Sequence, residues 1–112
     1  MPSKRTLVTA VMPVAIMLCW AGTAEAQSPA ALRGLTFVRV NCDQCHAIYR
    51  EGASPLKIAP PFRTLHLRYP IENLAESLAE GLVTGHPTMP EFQLDPGQVG
   101  DVIAYLKSLE RP

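Results

Sequence analysis

The apolar positions of this chain fall into patches with two different rhythms. From Leu7 to Gly22 they run almost unbroken. Beyond residue 27 they recur three or four apart, the spacing of helices with one buried face. Leu32, Leu35, Val38 and Cys42 share such a face on a helix that starts at Ser28-Pro29, serine being a good N-cap and proline a good first-turn residue. Its β-branched residues and Gly34 give it mediocre propensity, so it must rely on packing. Ile71, Leu74, Leu78 and Leu82 form a second stripe opposite a wet face of Glu72, Glu76 and Glu80. Pro70 suits the start of this helix, and Gly81 or Gly85 its end. Val99, Val102, Ile103, Leu106 and Leu109 form a third stripe after another cap pair, Asp95-Pro96. No run alternates as a strand would. Gly52, Pro55, Pro60 and Pro61 exclude a regular helix after His46. The stretch FRTLHLRY predicts a turn of helix before Pro70, and GHPTMPEF an extended loop between the last two helices. The class is all-α, with long irregular connections.

The unbroken patch has another meaning. Lys4 and Arg5 precede it, and Ala24-Glu25-Ala26, a small-x-small cleavage pattern, follows it. Pro13 interrupts the run, which is shorter than the roughly 20 apolar residues a membrane span needs. These features predict a secretory signal peptide over residues 1–26, cleaved after Ala26, with a retained anchor as the alternative. Met17 and Leu18 are not the small residues a lipoprotein site would place before Cys19. Residues 27–112 then form one domain of 86 residues, in which eight Lys and Arg face nine Asp and Glu. A balance of −1 offers nothing to nucleic acid or an anionic membrane. So small a domain buries little apolar surface and needs help to be stable.

Two cysteines remain after cleavage, in the stretch CDQCH: Cys42, Cys45 and the adjacent His46. A disulfide across so short a loop would constrain the chain little, so the pair serves chemistry instead. Structural zinc wants four ligands, usually with a second cysteine pair downstream. Here only His66 and His86 could complete the set, and His46 would be idle. A redox dithiol belongs at a helix start after a strand, and no strand is predicted. Haem attachment uses all three residues: each sulfur bonds a vinyl group, and the histidine binds the iron. The covalent haem would also become the apolar centre that the small domain lacks. For the sixth iron position, Met89 is the only methionine left after cleavage, and it lies in a Pro-rich polar loop rather than on an apolar helical face. His86 is its rival, three positions earlier, and His66 a weaker one.

With these residues in hand, positions 29–112 resemble the small monohaem c-type cytochromes with His/Met ligation. CDQCH resembles their attachment site, and TMPEF the segment with the distal methionine. APPF resembles the loop whose proline carbonyl accepts a hydrogen bond from the proximal histidine, which assigns that role to Pro60. Gly34 and Tyr105 match the glycine and aromatic where the family's first and last helices cross. Two features depart from the family. The position four residues before Cys42 is Val38 rather than an aromatic, with Phe37 beside it. The mature chain also has only Lys57 and Lys107, against the many lysines around the haem edge of mitochondrial members.

The resemblance implies a cytochrome c-like domain of three to five helices around one haem c, held by Cys42 and Cys45, with His46 and Met89 on the iron. It implies a monomeric periplasmic one-electron carrier rather than an enzyme. Its partners would be redox proteins: a dehydrogenase or quinol-oxidising complex as donor, and a terminal oxidase or reductase as acceptor. A dedicated subunit of one oxidoreductase, or a gas sensor with a displaceable Met89, stays open.

Overall fold

The computed structural model describes residues 1–3, 9–12, 27–81 and 88–110. Most of the expected signal peptide therefore lies outside the described residues, as do Leu82, Gly85 and His86. Among the described residues, three α-helices and two short 3-10 helices follow one another: α1 (Pro29–Asn41), 3-10 helices at Phe62–Leu67 and Ile71–Asn73, α2 (Leu74–Glu80) and α3 (Pro96–Ser108). Among the described residues there is no strand. No described helix is long and apolar enough to cross a membrane.

Both cap pairs act as their chemistry dictates. The Ser28 hydroxyl accepts a hydrogen bond from the Ala31 N–H at 3.2 Å, and Pro29 opens α1. At α3, the Asp95 carboxylate accepts from the Gln98 N–H at 2.8 Å while the Gln98 side chain accepts from the Asp95 N–H at 3.2 Å. The two bonds form a reciprocal capping box.

Helices α1 and α3 cross closely. Gly34 is buried in the crossing, where an added Cβ would overlap the Asp101 carbonyl and come 2.8 Å from the Tyr105 Cβ. This contact corrects the expected face of α1. Leu32 lies outside, 51% exposed, while Val38 is buried and Leu35 and Cys42 are half-buried as expected, and Ala31 and Gly34 join the buried face. Small residues win because they let two backbones approach, which a leucine at the contact would prevent. Tyr105 is buried, and its hydroxyl donates to the Ile48 carbonyl at 2.6 Å, tying α3 to the chain just after the cysteine motif. Outside the crossing, the Arg33 guanidinium donates two hydrogen bonds of 2.8 Å to the Asp101 carboxylate.

The second predicted helix is shorter and composite. Pro70 precedes the 3-10 turn Ile71–Asn73, which leads into α2, and Gly81 ends α2 with φ 116°. Ile71 and Leu78 are buried and Leu74 is half-buried, while Glu72, Glu76 and Glu80 are exposed as expected. In α3, Val99, Val102, Leu106 and Leu109 are buried, and Ile103 packs partly buried against them.

Candidate haem-binding site

The end of α1 places the cysteines. The Cys42 N–H still donates to the Val38 carbonyl at 2.8 Å, so Cys42 caps the helix. The chain then winds one more turn: the N–H groups of Cys45 and His46 both donate to the Cys42 carbonyl, at 3.2 and 3.0 Å. That single turn gathers two thiols and an imidazole. Downstream residues hold it from outside. The Leu56 N–H donates to the Cys45 carbonyl at 3.1 Å, the Ala47 N–H to the Ser54 hydroxyl at 3.0 Å, and the Phe62 N–H to the Ala47 carbonyl at 2.9 Å. The Gly- and Pro-rich loop that sequence could not fold into a helix is thus the strap around the motif.

His46 is buried, with 7% of its surface exposed. Its Nδ1 lies 2.8 Å from the Pro60 carbonyl. A carbonyl cannot donate, so Nδ1 carries the proton and Nε2 is the nitrogen left for a metal. The Phe62 ring packs on the imidazole at 4.9 Å between centroids.

His46 and Cys42 border a cavity of about 280 Å³ that extends between the helices. Phe37, Val38, Phe62, Leu65, Leu74, Leu78, Phe92, Leu94, Val102 and Leu106 give it apolar walls, and Met89 lies on it. A neighbouring cavity of about 180 Å³ shares Cys42, His46, Phe62, Met89 and Phe92 and is also lined by Cys45. The fold therefore brings Cys42, Cys45, His46 and Met89 to adjoining walls, with Pro60 behind the histidine. His66 is half-buried and borders neither cavity. Phe37 stands on the cavity wall, so an aromatic reaches it from the position next to Val38. Arg68, Tyr69 and Phe92 also line the larger cavity, and Arg68 is its one charged wall residue among those described. The signal that could have found Arg68 is its three-residue spacing from Leu65, itself three from Phe62, so that all three lie one 3-10 turn apart.

Cys42 and Cys45 are not joined to each other. Burial, with smaller contributions from Asp43 and Cys45, pushes the Cys42 thiol up to about 11. A thiol so rarely ionised near neutral pH is a poor attacking group in disulfide exchange. The donor set suits a haem: two thiols from one turn, one imidazole with a fixed tautomer, one thioether and an apolar slot. It does not suit a redox dithiol.

The family described as cytochrome c matches residues 31–110. Cytochrome c-552 of Bradyrhizobium diazoefficiens is 34% identical over 68 residues, which cover 61% of this chain. The chain matches 64% of that relative's length. No solved structure matches. Most of the chain thus aligns with one family, whose covalently bound haem c the spacing of Cys42 and Cys45 fits, and the chain belongs to the cytochrome c family.

Proposed function

We propose that the chain is exported, loses residues 1–26, and works in the periplasm as a one-electron carrier. The observation that carries this reading is the cavity that His46, Cys42 and Met89 all border. Haem c, when bound, supplies the ferric/ferrous couple. The remaining work belongs to the chain. Cys42 and Cys45 would hold the group covalently from one turn. His46 would offer Nε2 to the iron while its Nδ1–H is held by the Pro60 carbonyl, a hydrogen bond that raises the ligand's basicity. Met89 would offer a neutral thioether, which favours ferrous iron and raises the potential relative to a second histidine. The apolar walls keep water away, which disfavours added positive charge on the metal and raises the potential further. With His46 and Met89 both held for the iron, the chain would leave no place for a substrate there, and transfer would occur through brief contact with redox proteins. The mature balance of −1 gives no reason for steering by a dense basic ring, so association should weaken with salt less steeply than for a strongly basic carrier.

The test starts with acid–acetone extraction of the mature protein, whose N-terminus should be Gln27. Haem remaining on the polypeptide is the expected result, and colour in the solvent with free thiols would refute attachment. The oxidised protein should be low-spin and show the weak long-wavelength absorption of sulfur–iron(III) ligation. Met89→Ala should abolish that absorption and admit carbon monoxide to the reduced form, whereas His86→Ala should leave the spectrum nearly unchanged. The reverse pattern would make His86 the ligand. Carbon monoxide binding to the unaltered reduced protein at neutral pH would turn the reading towards a gas sensor.

A further inference from the structure

Met89 reaches the cavity on a stretch of chain that is tied back to α2. One tie is backbone: the Leu94 N–H donates to the Leu78 carbonyl at 2.8 Å. The other lies at the end of the helix. Gly81 leaves α2 with φ 116° and ψ 110°, a region that residues with a side chain rarely occupy. The Glu91 side chain fills the space that a Cβ on Gly81 would take, with its carboxyl carbon 3.3 Å and its Cγ 3.5 Å from that position. Gly52 is the other glycine with positive φ among the described residues, and nothing lies within 4 Å of its missing Cβ. A helix stop alone requires the dihedral but not a side chain laid over it. Gly81 meets both conditions, and its covering residue is two positions from Met89.

We infer that Gly81 and Glu91 are positioning residues for Met89: together they hold residues 88–94 against the end of α2. This rests on Met89 being the iron ligand. The argument is one of differential strain. A side chain at position 81 must adopt a poor dihedral, the larger cost, and displace the end of the exposed Glu91 side chain, a smaller one, while the segment is docked. Both costs relax when the segment lifts away. A substitution that is strained only in the docked state shifts the equilibrium towards the detached one. The backbone strain of a non-glycine residue there corresponds to a shift of about tenfold. Removing the Glu91 side chain loosens the docked state from the other side of the same contact, with a smaller shift.

The experiment uses the haem-loaded protein and two readouts other than electron-transfer activity. One is the sulfur–iron(III) absorption of the oxidised form, and the other the carbon monoxide affinity of the reduced form. Gly81→Ala should raise that affinity about tenfold and weaken the absorption, in line with the strain argument. Glu91→Ala should move both in the same direction by less. Gly100→Ala, at an exposed α3 position with nothing near its Cβ, should move neither. If Gly81→Ala and Glu91→Ala both match Gly100→Ala, even with a lowered melting temperature, Gly81 is a helix stop only and the inference is overturned. A shift in Gly81→Ala without one in Glu91→Ala overturns the pairing as well. Should Gly81→Ala fail to fold, Glu91→Ala alone decides. Met89→Ala separates the two levels of the argument. If it changes neither readout, Met89 is not the ligand and the proposed ligation fails. If it changes both while the Gly81 and Glu91 variants do not, only the positioning role fails.

Discussion

The α1–α3 crossing and the cavity side of the molecule are held together in different ways. At the crossing, protein touches protein. Gly34 lets the helices meet, the Tyr105 hydroxyl reaches the Ile48 carbonyl, and Arg33 clasps Asp101. On the other side, α2 spans only Leu74–Glu80, 3-10 turns replace regular helix, and the apolar faces of α2, α3 and the Phe62–Leu67 turn look onto a shared cavity. The difference teaches where the domain's missing core comes from. Half of the fold carries its own contacts, while the other half is arranged around the cofactor.

The sharpest way to break this comparison is to withhold the haem. In the double variant Cys42→Ser/Cys45→Ser, covalent attachment is lost and the cavity side has nothing to close on. Without the haem the apolar walls of a cavity of about 280 Å³ face water instead of a partner. A small domain has only about 5–15 kcal/mol of stability in all. The variant is expected to show no cooperative thermal transition by circular dichroism, while retaining some helical signal. A melt as sharp as that of the haem protein would mean that the crossing alone supports the fold.

The second prediction attacks the other region. Gly34→Val places branched carbon against the Asp101 carbonyl and the Tyr105 Cβ, neither of which can move without shifting α3. Overpacking at a backbone contact costs about 3 kcal/mol. The haem protein should lose about 10–20 °C in melting temperature at the sensitivity usual for this size. Its covalent haem should remain, because Cys42 and Cys45 lie beyond the crossing. An unchanged melting temperature would show that the helices can part without loss.

These two regions were not equally legible in the sequence. The crossing was marked by local signals: Ser28-Pro29, Asp95-Pro96 and the periodic stripes. Gly34 and Tyr105 were identified through family resemblance. One misreading, Leu32, arose because periodicity favours large apolar residues whereas a close crossing selects small ones. The cysteine turn was legible because its chemistry is contiguous in the chain. The walls contributed by Tyr69 and Phe92 were not, since each depends on where a non-periodic segment travels; Phe37 sits in α1 beside the expected buried stripe, and the stripe alone did not show that it faces the cavity. The same holds for Glu91 over Gly81. Nothing in the letters ten positions apart says that one fills the space beside the other.

A smaller effect separates the two roles of Tyr105. Tyr105→Phe keeps the ring in the crossing but removes the hydroxyl that serves the Ile48 carbonyl, which lies two residues beyond His46. Loss of one buried hydrogen bond costs about 1 kcal/mol, more if the carbonyl stays unsatisfied. The expected outcome is a drop of about 4–8 °C in melting temperature. The haem spectrum should not change, because His46 is held separately by Pro60. A spectral change would show that the crossing and the site are coupled through residues 46–48.

The smallest expected effect concerns the exposed clasp of the same crossing. The Arg33 guanidinium, by hydrogen bonding first and by its charge as well, holds the Asp101 carboxyl below its ordinary value. A carboxyl depressed in the folded state stabilises the fold above its unfolded pKa, about 3.9 for an aspartate. That contribution is lost as pH falls through the lower folded value. The pair is solvent-exposed on the arginine side, so screening keeps it weak. Asp101→Asn should therefore melt slightly below the parent protein at pH 7. The gap should narrow below about pH 4, where the aspartate of the unfolded chain begins to take up a proton while the folded one stays charged, and close in stronger acid as the folded aspartate is protonated too. Added salt at pH 7 should narrow it too. The check is a pair of melting curves measured from pH 7 down to pH 2, with the double variant Arg33→Ala/Asp101→Asn completing the cycle. A gap that persists unchanged into strong acid would mean that Asp101 matters through its backbone carbonyl at Gly34 and the packing around it, and that the clasp adds nothing to the crossing.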